Sequence, residues 1–148
     1  MDPVLHQIAD HLAKLSGGSA LDPLTVKPNL LPHLFILEVV GSKDGQLRLR
    51  IRLTGTALDR AFGRNLRGAY LEDFLHGPRS SEVLGAFHRC ATDHRPIWMR
   101  QVVEISGGMP RFVEGVAFFA EPDLIYGGLL LGEIARDGET AGFESACL

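Results

Sequence analysis

The side chains able to do chemistry in this chain are few and scattered. Six histidines and two cysteines are the candidate ligands and nucleophiles among 148 residues. His6, Asp10 and His11 set an i, i+4-type group near the N-terminus, but a zinc or iron site needs further donors at short spacing and none follows. Leu5, Ile8 and Leu12 claim the buried side of the same segment, so those polar residues read as a solvated face and no metal site is expected. Cys90 and Cys147 lie far apart, and neither has a base placed to activate it. Cys90 reads as a small buried core residue. There is no serine nucleophile elbow and no His-Glu-x-x-His. Gly107-Gly108 and Gly127-Gly128 do not stand between a strand and a helix, as a phosphate-cradling loop would. No catalytic residue is assigned, and the chain is not expected to be an enzyme.

The elements that carry these residues fit one core. At 16.2 kDa, with 45% hydrophobic and 22% charged residues, the composition is that of a single globular domain. A net charge of −3 leaves no electrostatic footprint for nucleic acid or an anionic membrane. No apolar run approaches the ~20 residues that cross a bilayer, and the first residues lack a signal-peptide h-region. With no disulfide framework, the expected compartment is a reducing cytoplasm.

Asp2-Pro3 is a helix start, and Leu5, Ile8, Leu12 and Leu15 recur on one face until Gly17-Gly18. This stripe over residues 1–17 must dock on its own domain or, as the seam of a homodimer, on a second copy, and both readings stay open. Residues 18–33, with Pro23, Pro28 and Pro32, read as an extended linker. Residues 34–40 and 46–54 form two strands joined by an Asp44-Gly45 turn. In the second, leucines and isoleucine alternate with Arg48, Arg50 and Arg52, which places the arginines on a solvated sheet face. Short helical segments follow, and then a longer helix from Ser80 or Ser81 with Val83, Leu84, Phe87, Cys90 and Ala91 on one side. Strands at residues 97–105, 111–120 and 124–134 complete the domain, with an irregularity expected at Gly127-Gly128. Residues 135–148 read as a frayed tail. The order predicts an α+β fold over residues 34–134: a five-stranded antiparallel sheet with helices on one face.

Residues 51–68, IRLTGTALDRAFGRNLRG, hold the densest local signal. Gly55 suits a sharp strand exit, Thr56 a helix cap, and Gly63 and Gly68 a compact loop in which Asn65 can satisfy backbone groups. The stretch Arg52-Leu53-Thr54-Gly55-Thr56, then Phe62-Gly63-Arg64-Asn65-Leu66-Arg67-Gly68, then Leu71-Glu72-Asp73-Phe74 resembles the PAS superfamily of sensory domains. The likeness is to a bacterial stand-alone PAS-like family with R-L-x-G-T followed by F-G-R-[DN]-L-x-G. It implies a sheet flanked by helices, commonly dimeric, used for sensing or signalling.

The resemblance also frames the cofactors. The light-oxygen-voltage branch carries a G-R-N-C-R-F-L-Q stretch whose cysteine attacks a flavin; Leu66 stands at that position, so the photoadduct is excluded. Some haem-binding members ligate iron through a histidine on the long helix, where His88 lies. His88 flanks the apolar stripe, so haem is not expected. The cofactor stays unassigned. A small-molecule pocket between helices and sheet would be walled by Phe74, Leu84, Phe87, His88, Trp98, Val102, Val116, Phe118 and Leu130. With no effector segment in the sequence, the signal is expected to leave through a protein partner. The alternatives are a ligand-free homodimerisation module of the same fold, or a small pocket enzyme resembling ketosteroid isomerase. In that enzyme Asp59 or Asp73 would be the base.

Overall fold

The computed structural model describes residues 1–15, 20–41, 44–75, 80–105, 109–134 and 144–148. Helix α1 (Pro3–Ala13) starts where the sequence sets it: the Asp2 side chain accepts from the Val4 N–H at 2.8 Å, with proline at the first helical position. Gly17-Gly18 lies outside the described residues. The linker makes two 3₁₀ turns, Pro23–Thr25 and Leu31–His33, before strand β1 (Leu34–Gly41). Strand β2 (Leu47–Thr54) returns antiparallel to β1. Helices α2 (Thr56–Phe62), α3 (Leu71–Phe74) and α4 (Ser80–Asp93) follow. Strands β3 (Ile97–Ile105), β4 (Met109–Ala120) and β5 (Leu124–Ile134) close the body. The sheet is antiparallel throughout, in the order β2-β1-β5-β4-β3 with one further strand at the β3 edge.

That further strand corrects the tail. Residues Glu144–Cys147 form β6, which pairs Ile97 with Cys147 and Arg100 with Glu144. All four of its residues are exposed, so backbone hydrogen bonds and not burial hold it there, and no apolar alternation announces it. Residues 135–143 of the expected tail lie outside the described residues.

Two cores result, one on each face of the sheet. On one face α2, α3 and α4 cover Phe35, Leu37, Leu49, Ile51, Ile97, Met99, Ala117 and Ile125. On the other, α1 lies across β4 and β5 and buries Leu5, Ile8 and Leu12 to 1% exposure or less, with Leu15 packed at the margin. The expected dimer seam is therefore spent within the chain itself. An amphipathic stripe is equally apolar whichever surface it meets, and here its own sheet supplies that surface through Val116, Phe118, Ala120 and Tyr126. Burial of three such side chains contributes on the order of 5–9 kcal/mol before entropy, comparable with the whole stability of a domain, so α1 is part of the fold. Val26 and Leu30 from the linker join this second core, and the Asp2 N–H donates to Glu114 at 3.2 Å.

The Gly127-Gly128 pair is not a bulge. Its register with β4 is regular, Ala117 opposite Gly127 and Val116 opposite Gly128, and the shift in that ladder falls between Arg111 and Val113. The glycines are seats instead. A Cβ at Gly127 would stand 2.1 Å from the Phe35 ring on the inner face, and one at Gly128 would stand 2.8 Å from Ile8 on the outer face.

The β2 arginines lie on the outer face as expected, two of them paired across neighbouring elements. Arg50 meets Glu38 at 2.8 Å, and that hydrogen bond holds the Glu38 carboxyl below its usual range. Arg48 meets Asp73 at 2.8 Å and covers the Tyr70 ring at 3.9 Å. Among the described residues no helix is long and apolar enough to cross a membrane.

Gly128→Ala is expected to destabilise the fold by about 1–3 kcal/mol, because Ile8 must give way to the new methyl. Ile8→Ala removes both atoms that would clash, so the double variant should lose clearly less stability than the two singles together. Denaturant titration of all four proteins measures this coupling.

Candidate functional site

The motif residues build a cap on the open edge of the sheet. β2 is an edge strand, whose unpaired backbone groups invite association. After α2, Gly63 takes the left-handed conformation (φ 72°) and turns the chain back along β2. The Asn65 side chain accepts from the Arg67 N–H at 2.8 Å, and Gly68 (φ 90°) completes the turn. The Gly68 N–H then donates to the Ile51 carbonyl at 2.7 Å, and the Ile51 N–H to the Ala69 carbonyl at 2.8 Å. One residue pair on, the Leu49 N–H donates to the Glu72 carboxylate at 2.9 Å. Gly55 is required for contact: a Cβ there would lie 2.3 Å from the Pro32 carbonyl oxygen. Thr56 opens α2 but makes no capping bond; it is the Thr54 hydroxyl that donates, to Asp59.

Histidine 88 belongs to this edge. Its Nε2 lies 3.0 Å from the Glu72 carboxylate, and its side chain is 36% exposed, so it points to the α3–β2 margin and away from the interior. That placement does not suit an axial iron ligand. Of the two alternative bases for the enzyme reading, Asp73 is salt-bridged at the surface and Asp59 is tied to Thr54. Among the described residues no three His, Cys, Asp or Glu side chains are grouped to hold a metal.

The nine expected wall residues divide between the two faces. Phe87 and Leu84 belong to the inner core, where Phe87 meets Phe35 edge-on with ring centroids 5.9 Å apart. The Phe74 side chain lies outside the described residues. Val116, Phe118, Trp98 and Leu130 belong to the outer core beneath α1, and Val102 shares their parity along β3. They cannot wall a pocket between α4 and the sheet. Strand alternation identifies which residues share a face but not which face is inner, and here both faces are apolar because a helix covers each. Trp98 is instead anchored through its indole N–H, which donates to Glu114 at 2.6 Å.

The inner face holds a residue that sequence reasoning missed. Gln101, two positions beyond Met99 on β3, is 3% exposed, and its Oε1 has no hydrogen-bond partner among the described residues. Cross-strand register places it beside Val113, and Val113 beside Leu131. A glutamine on a β-strand carries no signal of burial by itself. Its parity with Ile97 and Met99 was the clue available.

A comparison with family models finds no match, and neither does one with curated proteins. Among solved structures, the chain is similar to a fungal LOV domain photoreceptor, whose structural biochemistry is linked to a conserved pathway integrating blue light and oxidative stress. Identity is 15%, the TM-score is 0.54, and the match spans 82% of this chain and 90% of that one. Two positions weighed for flavin chemistry, Leu66 and Cys90, both lie in the inner core. Leu66 is 2% exposed in the inner core. Cys90 is fully buried on α4, where desolvation pushes its thiol up from 9.0 to about 12 against a hydrogen bond from the Phe119 backbone. The shift has a consequence for stability. Below about pH 9 both folded and unfolded states keep this proton; above it the unfolded state loses the proton first, so stability falls as pH rises toward 12. Denaturation midpoints measured from about pH 8 to 11 should show Cys90→Ala with a shallower decline, by about 1.4 kcal/mol per pH unit. What the chain shares with the photoreceptor is a PAS-like fold.

Proposed function

We propose that this chain is a PAS-like sensory or regulatory domain that takes its input on the inner face and passes its state to a protein partner through α1. The R-L-T-G-T and F-G-R-N-L-R-G stretches support a place in the bacterial stand-alone branch. The observation that carries the reading is the contact chain through the central strand. Phe87 of α4 packs on Phe35, Phe35 rests on Gly127, and the neighbouring Gly128 receives Ile8 of α1. A displacement of α4 is thereby passed to α1 without an intervening side chain on β5. The partner, and the second copy in a homodimer, meets the outward face of α1, where His6, Gln7, Asp10 and Lys14 are exposed. The apolar stripe beneath stays occupied by the chain's own sheet.

The single tryptophan reports on this relay, because Trp98 sits in the outer core while Phe87 sits in the inner one. Phe87→Leu should raise acrylamide quenching of native Trp98 roughly twofold. Leu71→Ala, a truncation in the same inner core beside the β2 edge, should leave it unchanged. Equal quenching in Phe87→Leu and the wild type would overturn the relay.

A further inference from the structure

We propose that Cys90 and Cys147 form an oxidation-sensitive thiol pair, whose disulfide fastens the last strand of the chain to α4. This goes beyond the sensory reading and does not rest on it. The two cysteines are far apart in sequence, and β6 brings them to one corner of the fold. Residues directly opposite on antiparallel strands point to the same face, so Cys147, opposite Ile97, faces the inner side of the sheet with it. Ile97 and Cys90 belong to the same buried cluster. The chain passes from α4 into β3 within three residues, 94–96, which keeps the end of the helix beside the start of the strand. That corner is pinned twice. The His94 ring stacks on Phe119 with centroids 3.7 Å apart, and the Leu148 N–H donates to the Pro96 carbonyl at 3.0 Å. Desolvation above all pushes the Cys90 thiol up to about 12, against the Phe119 backbone hydrogen bond, and a charge on Cys147 adds to the rise. The two sulfurs therefore stand within electrostatic reach of one another.

Exposure divides the chemistry between them. Cys147 is exposed and Cys90 is buried, so an oxidant of the hydroperoxide class meets Cys147 first. The Cys147 thiolate attacks one oxygen of hydrogen peroxide: an S–O bond forms, the O–O bond breaks, and the released hydroxide takes the proton that Cys147 shed. Cys147 is then a sulfenic acid. Cys90 gives up its proton and its sulfur attacks that of Cys147. An S–S bond forms, the S–O bond breaks, and hydroxide leaves with the Cys90 proton as a second water. Two thiols and one peroxide become one disulfide and two waters, the sulfurs losing the two electrons that the peroxide gains. All four residues of β6 are exposed, so this bond gives a strand held by its backbone a covalent anchor on a buried helix. A thiol reversing the bond attacks the exposed Cys147 sulfur and must expel Cys90. The raised pKa of Cys90 makes it a slow leaving group, so the closed form persists.

A slight excess of hydrogen peroxide, added to the folded, reduced full chain, should lower its mass by about 2 Da, the loss of two hydrogens, and remove both titratable thiols. A digest without reductant should then yield one peptide pair joining Cys90 to Cys147. Amide hydrogen exchange over residues 144–147 should slow about tenfold on oxidation and recover on reduction. Cys147→Ser, a change at an exposed position, should keep the Cys90 thiol intact at the same dose. Both thiols left free in the wild type, a sulfinic acid accumulating on Cys147, or a dimer joined through two Cys147 side chains would each overturn the pairing. Loss of the Cys90 thiol in Cys147→Ser would overturn the order of attack. A Cys90–Cys147 disulfide with unchanged exchange in β6 would overturn the anchor.

Discussion

Two adjacent residues without side chains, Gly127 and Gly128, set how thick this protein is at its centre. Because successive strand residues face opposite ways, a glycine pair opens one seat on each side of the same strand. The Phe35 ring occupies the inner seat and Ile8 the outer one, each at a distance that leaves no room for a methyl group. The strand concerned lies in the middle of the sheet, between β1 and β4. Helices on one face and α1 on the other therefore approach the same backbone. Interiors pack at crystal-like density and have few intermediate positions, so a shift on one side of so thin a layer has nowhere to be absorbed. The fold's two cores are separate in composition and joined at this point.

That arrangement also accounts for what could and could not be read from the residues. The element order was legible: the Asp2-Pro3 start, the alternation in β2, the Asp44-Gly45 turn and the stripe of α4 all lie where local chemistry sets them. Sidedness was not. In β4, Val116 and Phe118 alternate with Ala117 and Phe119, apolar on both parities, because α1 covers one face and α4 the other. Half-buried strands reveal their inner face through polar residues on the outer one, and a sheet buried on both faces gives no such contrast. The same ambiguity concealed the docking of α1, whose stripe looks identical for a partner's surface and for its own. β6 was hidden for the opposite reason: all four residues are exposed and only its backbone pairs.

The stretch that carries the family resemblance turns out to do structural work. Gly63, Asn65 and Gly68 steer the chain back along β2, its backbone satisfies Ile51, and Glu72 satisfies Leu49. A long edge strand with free donors and acceptors is an aggregation hazard, and this loop removes it. The stretch is informative about fold because its spacing is set by strand geometry. Cofactor chemistry is a separate matter that turns on one position within it, and Leu66 fills that position with core.

Function must then be sought where the chain departs from what its own packing requires. Most inner-face residues are explained by the fold: Phe35 by its glycine seat, Cys90 by its small volume, Leu66 by the loop it anchors. Edge polar groups such as His88 and Glu72 are explained by the strand they close. Gln101 has no such account. Its neighbours along the ladder are aliphatic and its burial is nearly complete. Strand parity alone puts it there: it shares the inward parity of Ile97 and Met99, and the sheet geometry that buries those two buries its amide as well.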